Sequence, residues 1–144
     1  MKEKIKIGMI GLGCRGLDLL DRVILEMDDI EVAAVCDLDP ARTQDAAKKT
    51  EEKKAVVPVC TSDYKDVLAM EEIDAVVISS SWADHIHIAI DAMRAGKYVG
   101  SEVGGAYSID ECWKLVRTYE ETNVPCMMLE NCCYDYDELL VLNM

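Results

Sequence analysis

Three glycines at fixed spacing constrain this chain more than any other feature. They stand in Gly11-Leu12-Gly13-Cys14-Arg15-Gly16, between an alternating apolar run and a set of leucines at helical spacing. The run, residues 4–10, reads as a strand with Ile5, Ile7 and Met9 on one face. Leu17, Leu20, Val23, Ile24 and Met27 read as one helix. So sharp a turn between strand and helix needs a residue free to take positive φ. A second glycine keeps the space above the turn open, and a third lets helix and strand pack closely. Strand, glycine turn and helix in this order predict a βαβ unit, and with it a parallel sheet.

The alternation continues along the chain. Residues 30–36, 55–60, 75–78, 97–100 and 126–129 read as further strands. Pro58 interrupts the third, which suits an edge. Between them fall helical stretches: from Pro40 to about Thr50, 66–70, and 83–95 closed by Gly96. The capping box Ser108-Ile109-Asp110-Glu111 opens another. Ile109, Cys112, Trp113, Val116 and Tyr119 form an apolar stripe along it. Six strands joined by helices predict an α/β fold: a doubly wound, mainly parallel six-stranded Rossmann sheet with helices on both faces. A chain of 144 residues, 51% apolar and 30% charged, is one globular domain that needs no disulfides. Residues 1–133 are assigned to that domain. Residues 134–144 begin an apolar helix bearing Tyr136, Leu139, Leu140 and Met144. Its apolar stripe has nothing after it to cover it, which predicts self-association as a symmetric homodimer.

Net charge is −13. A surface of that sign repels phosphate backbones and anionic lipid, which argues against nucleic acid and membranes as partners. No apolar run approaches the ~20 residues that span a bilayer. The lead Met1-Lys2-Glu3-Lys4 has no signal-peptide core, so the expected compartment is the cytoplasm. Seven cysteines with no Cys-x-x-Cys are expected to be free thiols, mostly buried. His85 and His87, two apart, share no helix face, so no metal site is expected.

The chemistry centres on the glycine turn. The helix after it offers free N–H groups and a positive dipole end to phosphate. Asp37 closes the second strand, 21 residues after Gly16. A carboxylate there hydrogen-bonds the ribose hydroxyls of a dinucleotide and repels a 2′-phosphate, favouring NAD over NADP. Its plainer alternative is to cap the turn to Pro40. Arg15 either contacts the pyrophosphate or faces solvent. Arg42 either reaches back to a phosphate or is a solvated helix residue. Ligands of open α/β sheets sit beyond the carboxyl ends of the strands. That rule selects residues 11–16, Asp37, 79–85, 102–105 and 130–133. Trp82 packs either against the nicotinamide side of a cofactor or over the core. His85 faces the same edge, as a structural residue or a catalyst. Cys132-Cys133 read as packing thiols.

These residues resemble the N-terminal domain of the Gfo/Idh/MocA oxidoreductases, the glucose-fructose oxidoreductase and inositol dehydrogenase group. The marks are residues 11–16, Cys36-Asp37-Leu38-Asp39-Pro40, Ser80-Ser81-Trp82-Ala83-Asp84-His85, and Ala92-Met93-Arg94-Ala95-Gly96-Lys97-Tyr98-Val99. The family usually has Glu-Lys-Pro after the fifth strand, its lysine assisting proton transfer. Here the stretch is Glu102-Val103-Gly104, without that lysine. The segment Met128-Leu129-Glu130-Asn131-Cys132-Cys133-Tyr134, with Glu102-Val103, is similar to a branch of the family, the NAD-dependent α-N-acetylgalactosaminidase-type glycosidases. The resemblance implies NAD contacts from Arg15, Gly16, Asp37, Trp82, Ala83, Asp84, His85, Glu102, Val103 and Asn131. Gly11, Gly13, Cys14 and Ser80 complete the expected cofactor site, and no catalytic residue is assigned. The resemblance further implies a sugar or sugar-derivative substrate, and a C-terminal substrate domain, missing here, into which residues 134–144 would lead and whose uncovered surface would be the face of the homodimer. The reaction is either simple dehydrogenation or glycoside cleavage, in which a hydride passes to bound NAD and returns. The alternative is a stand-alone dinucleotide-binding module without turnover.

Overall fold

The computed structural model describes residues 4–144; the lead Met1-Lys2-Glu3 lies outside them. Six strands form one sheet: β1 (Ile5–Ile10), β2 (Ile30–Cys36), β3 (Val59–Thr61), β4 (Ala75–Ile78), β5 (Tyr98–Ser101) and β6 (Cys126–Met128). The helices are α1 (Cys14–Arg22), α2 (Pro40–Lys54), α3 (Tyr64–Ala69), α4 (His85–Arg94), α5 (Ile109–Thr122) and α6 (Tyr136–Leu142). The strand order is β3-β2-β1-β4-β5-β6, and every neighbouring pair is parallel. The winding direction reverses between β1 and β4. That reversal is the switch point at which open α/β sheets hold ligands.

Two apolar layers sandwich the sheet. On one face Ile10, Ala34, Val76, Ile78 and Val99 meet Val67 and Leu68 of α3 and Ile88, Ala89, Ala92 and Met93 of α4. On the other, Ile7, Met9, Val32 and Val35 meet Leu20 of α1 and Ala46 of α2. Val32 and Val35 are three apart, yet share a face. The register jumps there: Ile7 pairs with Val32 and Gly8 with Ala34, so Ala33 is a bulged residue.

Several boundaries differ from the sequence expectation, each for a local reason. The first helix stops at Arg22, and a tight 3-10 turn at Ile24–Glu26 follows. That turn buries the adjacent pair Ile24 and Leu25 while leaving Val23 exposed. α2 runs past Thr50 to Lys54, where Ala55 takes a left-handed φ of 55°. Lys49 and Lys53 lie 3.3 and 3.0 Å from Asp21, and the Lys53 Nζ lies 2.7 Å from Glu26, tying the last turns of α2 to α1. β3 consequently starts only at Val59; it is an edge strand, as Pro58 suggested. α3 begins early because Asp63 accepts the Lys65 N–H at 2.9 Å as an N-cap.

Half of the capping box at α5 forms: Ser108 Oγ accepts from Glu111 N at 3.2 Å, while the Glu111 carboxylate accepts the Tyr107 N–H at 2.6 Å instead of that of Ser108. The stripe behind it does not become core. Ile109, Trp113, Val116 and Tyr119 are exposed, and the helix packs through Leu115 and Thr118. α5 flanks the last strand of the sheet and meets a partner, α4, on one side only. All seven cysteines are free, but the expectation that most are buried fails. Cys36 is buried and Cys126 half-buried; Cys14, Cys60, Cys112, Cys132 and Cys133 are exposed. The apolar side chains of α6 are exposed as well.

Candidate functional site

The carboxyl ends of β1, β2 and β4 open onto a cleft of about 630 Å³. Gly11 and Gly13 lie on one side of it, and Ser79, Ser80, Ser81 and Asp84 are brought to it by the loop after β4. The three glycines do different jobs. Gly11 has φ +89°, and a Cβ there would lie 2.4 Å from Ser80 N and 2.5 Å from Ser79 C. A Cβ on Gly16 would lie 2.1 Å from Gly11 O. At Gly13 a Cβ would meet no protein atom within 4 Å. Gly11 and Gly16 therefore fold the turn, while Gly13 keeps open the space above it. No side chain caps the α1 N-terminus and no acid stands in its first turn. Uncapped N–H groups beside an open glycine fit a diphosphate.

Asp37 is only 9% exposed at its side chain. Its Oδ2 accepts the Leu12 N–H at 2.7 Å, and its Oδ1 accepts the Asp39 N–H at 2.9 Å. The carboxylate thus caps the turn to Pro40, locks the glycine turn from behind, and lines the cleft. Beside it, burial and then the Asp37 charge push the Cys36 thiol up to about 11, so it stays a neutral part of the wall.

A second group gathers over β4 and β5. Arg15 Nε donates to Glu102 Oε1 at 2.7 Å, and Glu102 Oε2 accepts the Val103 N–H at 3.1 Å. Arg15 is therefore tied across the sheet edge rather than free in solvent. Trp82 is 63% exposed and does not cover the core. Its indole lies against Gly104, where a Cβ would come within 2.9 Å of the ring. His85 is 2% exposed, and its Nε2 sits 3.0 Å from Ser80 O, which makes it the protonated nitrogen. Buried behind Gly105, His85 is structural in this arrangement.

Of the expected cofactor residues, Gly11, Gly13, Asp37, Ser80 and Asp84 line the cleft. Gly16 backs the turn. Cys14 and Ala83 are exposed on their turns. Asn131 is also exposed, and its amide reaches Cys132 Sγ at 3.7 Å rather than the cleft. Sequence reasoning missed Leu38, Ser62, Tyr64, His87 and Ile88, which also line it. The rule that ligands lie at carboxyl ends applies equally to β3, and would have found Ser62 and Tyr64. Among the described residues, no cluster of His, Cys, Asp or Glu could hold a metal, and no helix is long and apolar enough to cross a membrane.

Tyr64 donates to Asp91 Oδ2 at 2.8 Å. Burial, then this hydrogen bond, pushes its phenol from 10.0 up to about 12. A raised acid pKa means stability that is fully present below pH 10.0 and is lost as pH rises through about 12. Absorbance titration should show a tyrosine step near pH 12 that Tyr64→Phe removes. Tyr64→Phe should also cost about 1 kcal/mol of stability at neutral pH.

The comparisons with known proteins agree with this geometry. The model of the Gfo/Idh/MocA oxidoreductase family, NAD-binding Rossmann fold, matches residues 5–130. The chain belongs to this family. A glycosyl hydrolase family 109 protein of Bacteroides thetaiotaomicron is 39% identical over 148 residues, covering 99% of this chain and 31% of that one. Another, from Solibacter usitatus, is 37% identical and covers 97% and 33%. The chain spans about a third of the length of these curated relatives. Their names are those of glycosidases, the class of enzyme expected from residues 128–134. Among solved structures, the scyllo-inositol dehydrogenase of Lactobacillus casei with bound NAD(H) and scyllo-inositol superposes with a TM-score of 0.86. It is 25% identical, with 98% of this chain and 42% of that one covered. The chain is thus an NAD-binding Rossmann domain of the Gfo/Idh/MocA family.

Proposed function

We propose that the cleft seats NAD with its pyrophosphate over Gly13 and the α1 N-terminus and its adenosine ribose at Asp37. The single observation that carries this is the open space above Gly13, between the uncapped helix end and the loop after β4. Arg15, fixed by Glu102, stands beside the pyrophosphate position. Trp82, held over Gly104, shields the nicotinamide side from water. Cys14, Gly16, Ala83, Asp84 and Val103 complete the proposed set; His85, 2% exposed, serves it by holding Ser80 O, and Asn131 would join it by turning away from Cys132. NAD, when bound, supplies a reversible hydride acceptor; the chain's residues orient it.

The protein is read as a sugar-acting enzyme, in the glycosidase version first. The family 109 names of its relatives support that version. So does the place of the expected lysine, which is Val103. Residues 1–133 would form the cofactor domain and 134–144 the lead into a substrate domain. Free cysteines support a reducing, cytoplasmic setting, and the acidic surface opposes nucleic acid and membrane. Aryl glycosides offered to the full-length protein with and without NAD test the reaction. NAD-independent cleavage would sink the glycosidase version, and steady NADH accumulation would make the protein a simple dehydrogenase. No turnover of any sugar would leave a binding module. Exposed Leu140, Val141 and Leu142 of α6 support a homodimer. Light scattering at tens of micromolar decides it, a monomer refuting it.

Asp37→Ala tests the cofactor seat. A hydrogen bond to a charged group contributes about 1.5–3 kcal/mol, so NAD affinity should fall about 10- to 100-fold. Calorimetry that found it unchanged would leave Asp37 as a turn residue alone.

A further inference from the structure

The β6 edge of the sheet carries two apolar faces that the chain does not bring together. On α5, Ile109, Trp113 and Val116 form an exposed stripe. It borders a groove of about 390 Å³ lined by Leu115, Val116, Tyr119, Pro125 and Cys126. On α6, Tyr136, Leu139 and Leu140 fall at spacings of three and four and are exposed as well. α6 packs chiefly on the short turn Cys132–Tyr134 before it, and does not lie along its own α5. That turn is fixed: Glu130 Oε1 accepts the Cys132 N–H at 2.9 Å, and Asp135 N donates to Cys132 O at 3.1 Å.

The charges on the two helices are opposite. Lys114 and Arg117 are the only cations among residues 98–144, and both are exposed on α5. Among the described residues, neither takes part in an ion pair. Asp110 and Glu121 stand one turn beyond them at either end, so the positive charge is confined to the middle of α5. α6 carries Asp137 and Glu138, both exposed, on the flanks of its apolar face.

We propose that α6 of one protomer docks on α5 of a second copy of this chain, reciprocally about a two-fold axis. Leu139 and Leu140 enter the groove beside Tyr119, and Asp137 and Glu138 meet Lys114 and Arg117. The inference rests on the homodimer reading above and supplies the face that receives α6. Length fits: seven residues of α6 span about 10 Å, as does the stripe from Ile109 to Val116. One such helix alone falls short of the about 20–30 residues a side of a standard interface. The two-fold repeats the contact, so each protomer contributes both helices. Charge fixes the place. With a net charge of −13, two copies repel one another over much of their surface. On this edge, only the middle of α5 meets an acidic helix with positive charge.

Sedimentation velocity on the full chain tests this. One form carries Lys114→Glu and Arg117→Glu, the other Asp137→Lys and Glu138→Lys. Each alone should weaken the dimer about tenfold or more, the scale of four exposed ion pairs turned repulsive. An equal mixture should recover to within about threefold of the wild type, because in the mixed dimer both contacts again pair opposite charges. Net charge alone predicts the reverse for the second form, which is nearer neutrality and would associate more tightly. A wild-type dimer in either form would overturn the proposal. Loss in both forms without recovery in the mixture would place α6 on its own α5, and overturn it too. All four side chains are exposed, so both forms should keep the wild-type circular dichroism melt. Should one not, Leu140→Ser, on a helix outside the core, should weaken the dimer by about the same tenfold, and an unchanged dimer there would overturn the proposal. A wild-type chain that is monomeric at tens of micromolar would instead remove the homodimer reading beneath it.

Discussion

Alanine at Gly13 and alanine at Gly11 are expected to fail in opposite ways. Gly13 has φ −65° and ψ −173°, ordinary extended backbone. A methyl there meets no protein atom within 4 Å. Gly13→Ala should therefore fold, losing under about 1 kcal/mol through a poorer N-cap. The methyl would stand in the space assigned to the pyrophosphate. Overpacking of a filled site costs about 1–3 kcal/mol, so NAD affinity should drop about 10- to 100-fold. Gly11→Ala forces a side chain into φ +89° and against Ser80 N at 2.4 Å. Backbone strain of about 1–3 kcal/mol adds to the clash, for a total of about 3–5 kcal/mol. That lowers the melting temperature by roughly 10 °C in a chain of this size. Circular dichroism melts and NAD calorimetry separate the two. Wild-type NAD affinity in Gly13→Ala would remove the pyrophosphate from this turn. A wild-type melt in Gly11→Ala would show that the turn does not pack tightly on Ser79 and Ser80.

The sequence showed these glycines because their requirement is local: one sharp turn between a strand and a helix. β2 and β4 were legible for the same reason, being short apolar runs bounded by turn residues, and they begin and end where expected. What stayed hidden depends on neighbours distant in sequence. The link from Leu12 N to Asp37 Oδ2 spans 25 residues, and Arg15 to Glu102 spans 87. No periodicity carries such pairings. The bulge at Ala33 was hidden because an alternating run looks the same with or without one extra residue. The stripe of α5 was legible as a stripe, but spacing cannot say whether a partner exists to bury it. Trp113 is 55% exposed because α5 packs chiefly on α4, through its Leu115 face. The cleft was half read: its glycine and aspartate side came from the turn, while the Tyr64 side follows β3, to which the carboxyl-end rule was not carried.

Lys97 separates stability from function. It lies just before β5, at the amino-terminal end of the sheet, opposite the cleft, and is 7% exposed. Its Nζ donates to Met70 O at 2.6 Å and to Ile73 O at 2.8 Å. These bonds close the connection from α3 into β4, and β4 in turn carries the loop of Ser79 and Ser80. Lys97→Met keeps most of the buried alkyl stem and removes only the donor. Ile73 O then loses its donor, while Met70 O keeps only the Ile73 N–H at 3.3 Å. Each buried unsatisfied group costs about 1–3 kcal/mol, partly offset because an ammonium no longer has to be desolvated. A net loss of about 1–3 kcal/mol is expected, or roughly 3–9 °C in melting temperature. NAD affinity, measured well below the melt, should stay within about twofold of the wild type, since additivity holds for distant sites. A variant that melts normally would show the carbonyls finding water instead. A variant that melts normally but loses NAD would place Lys97 in communication with the cleft, which this arrangement of strands does not provide.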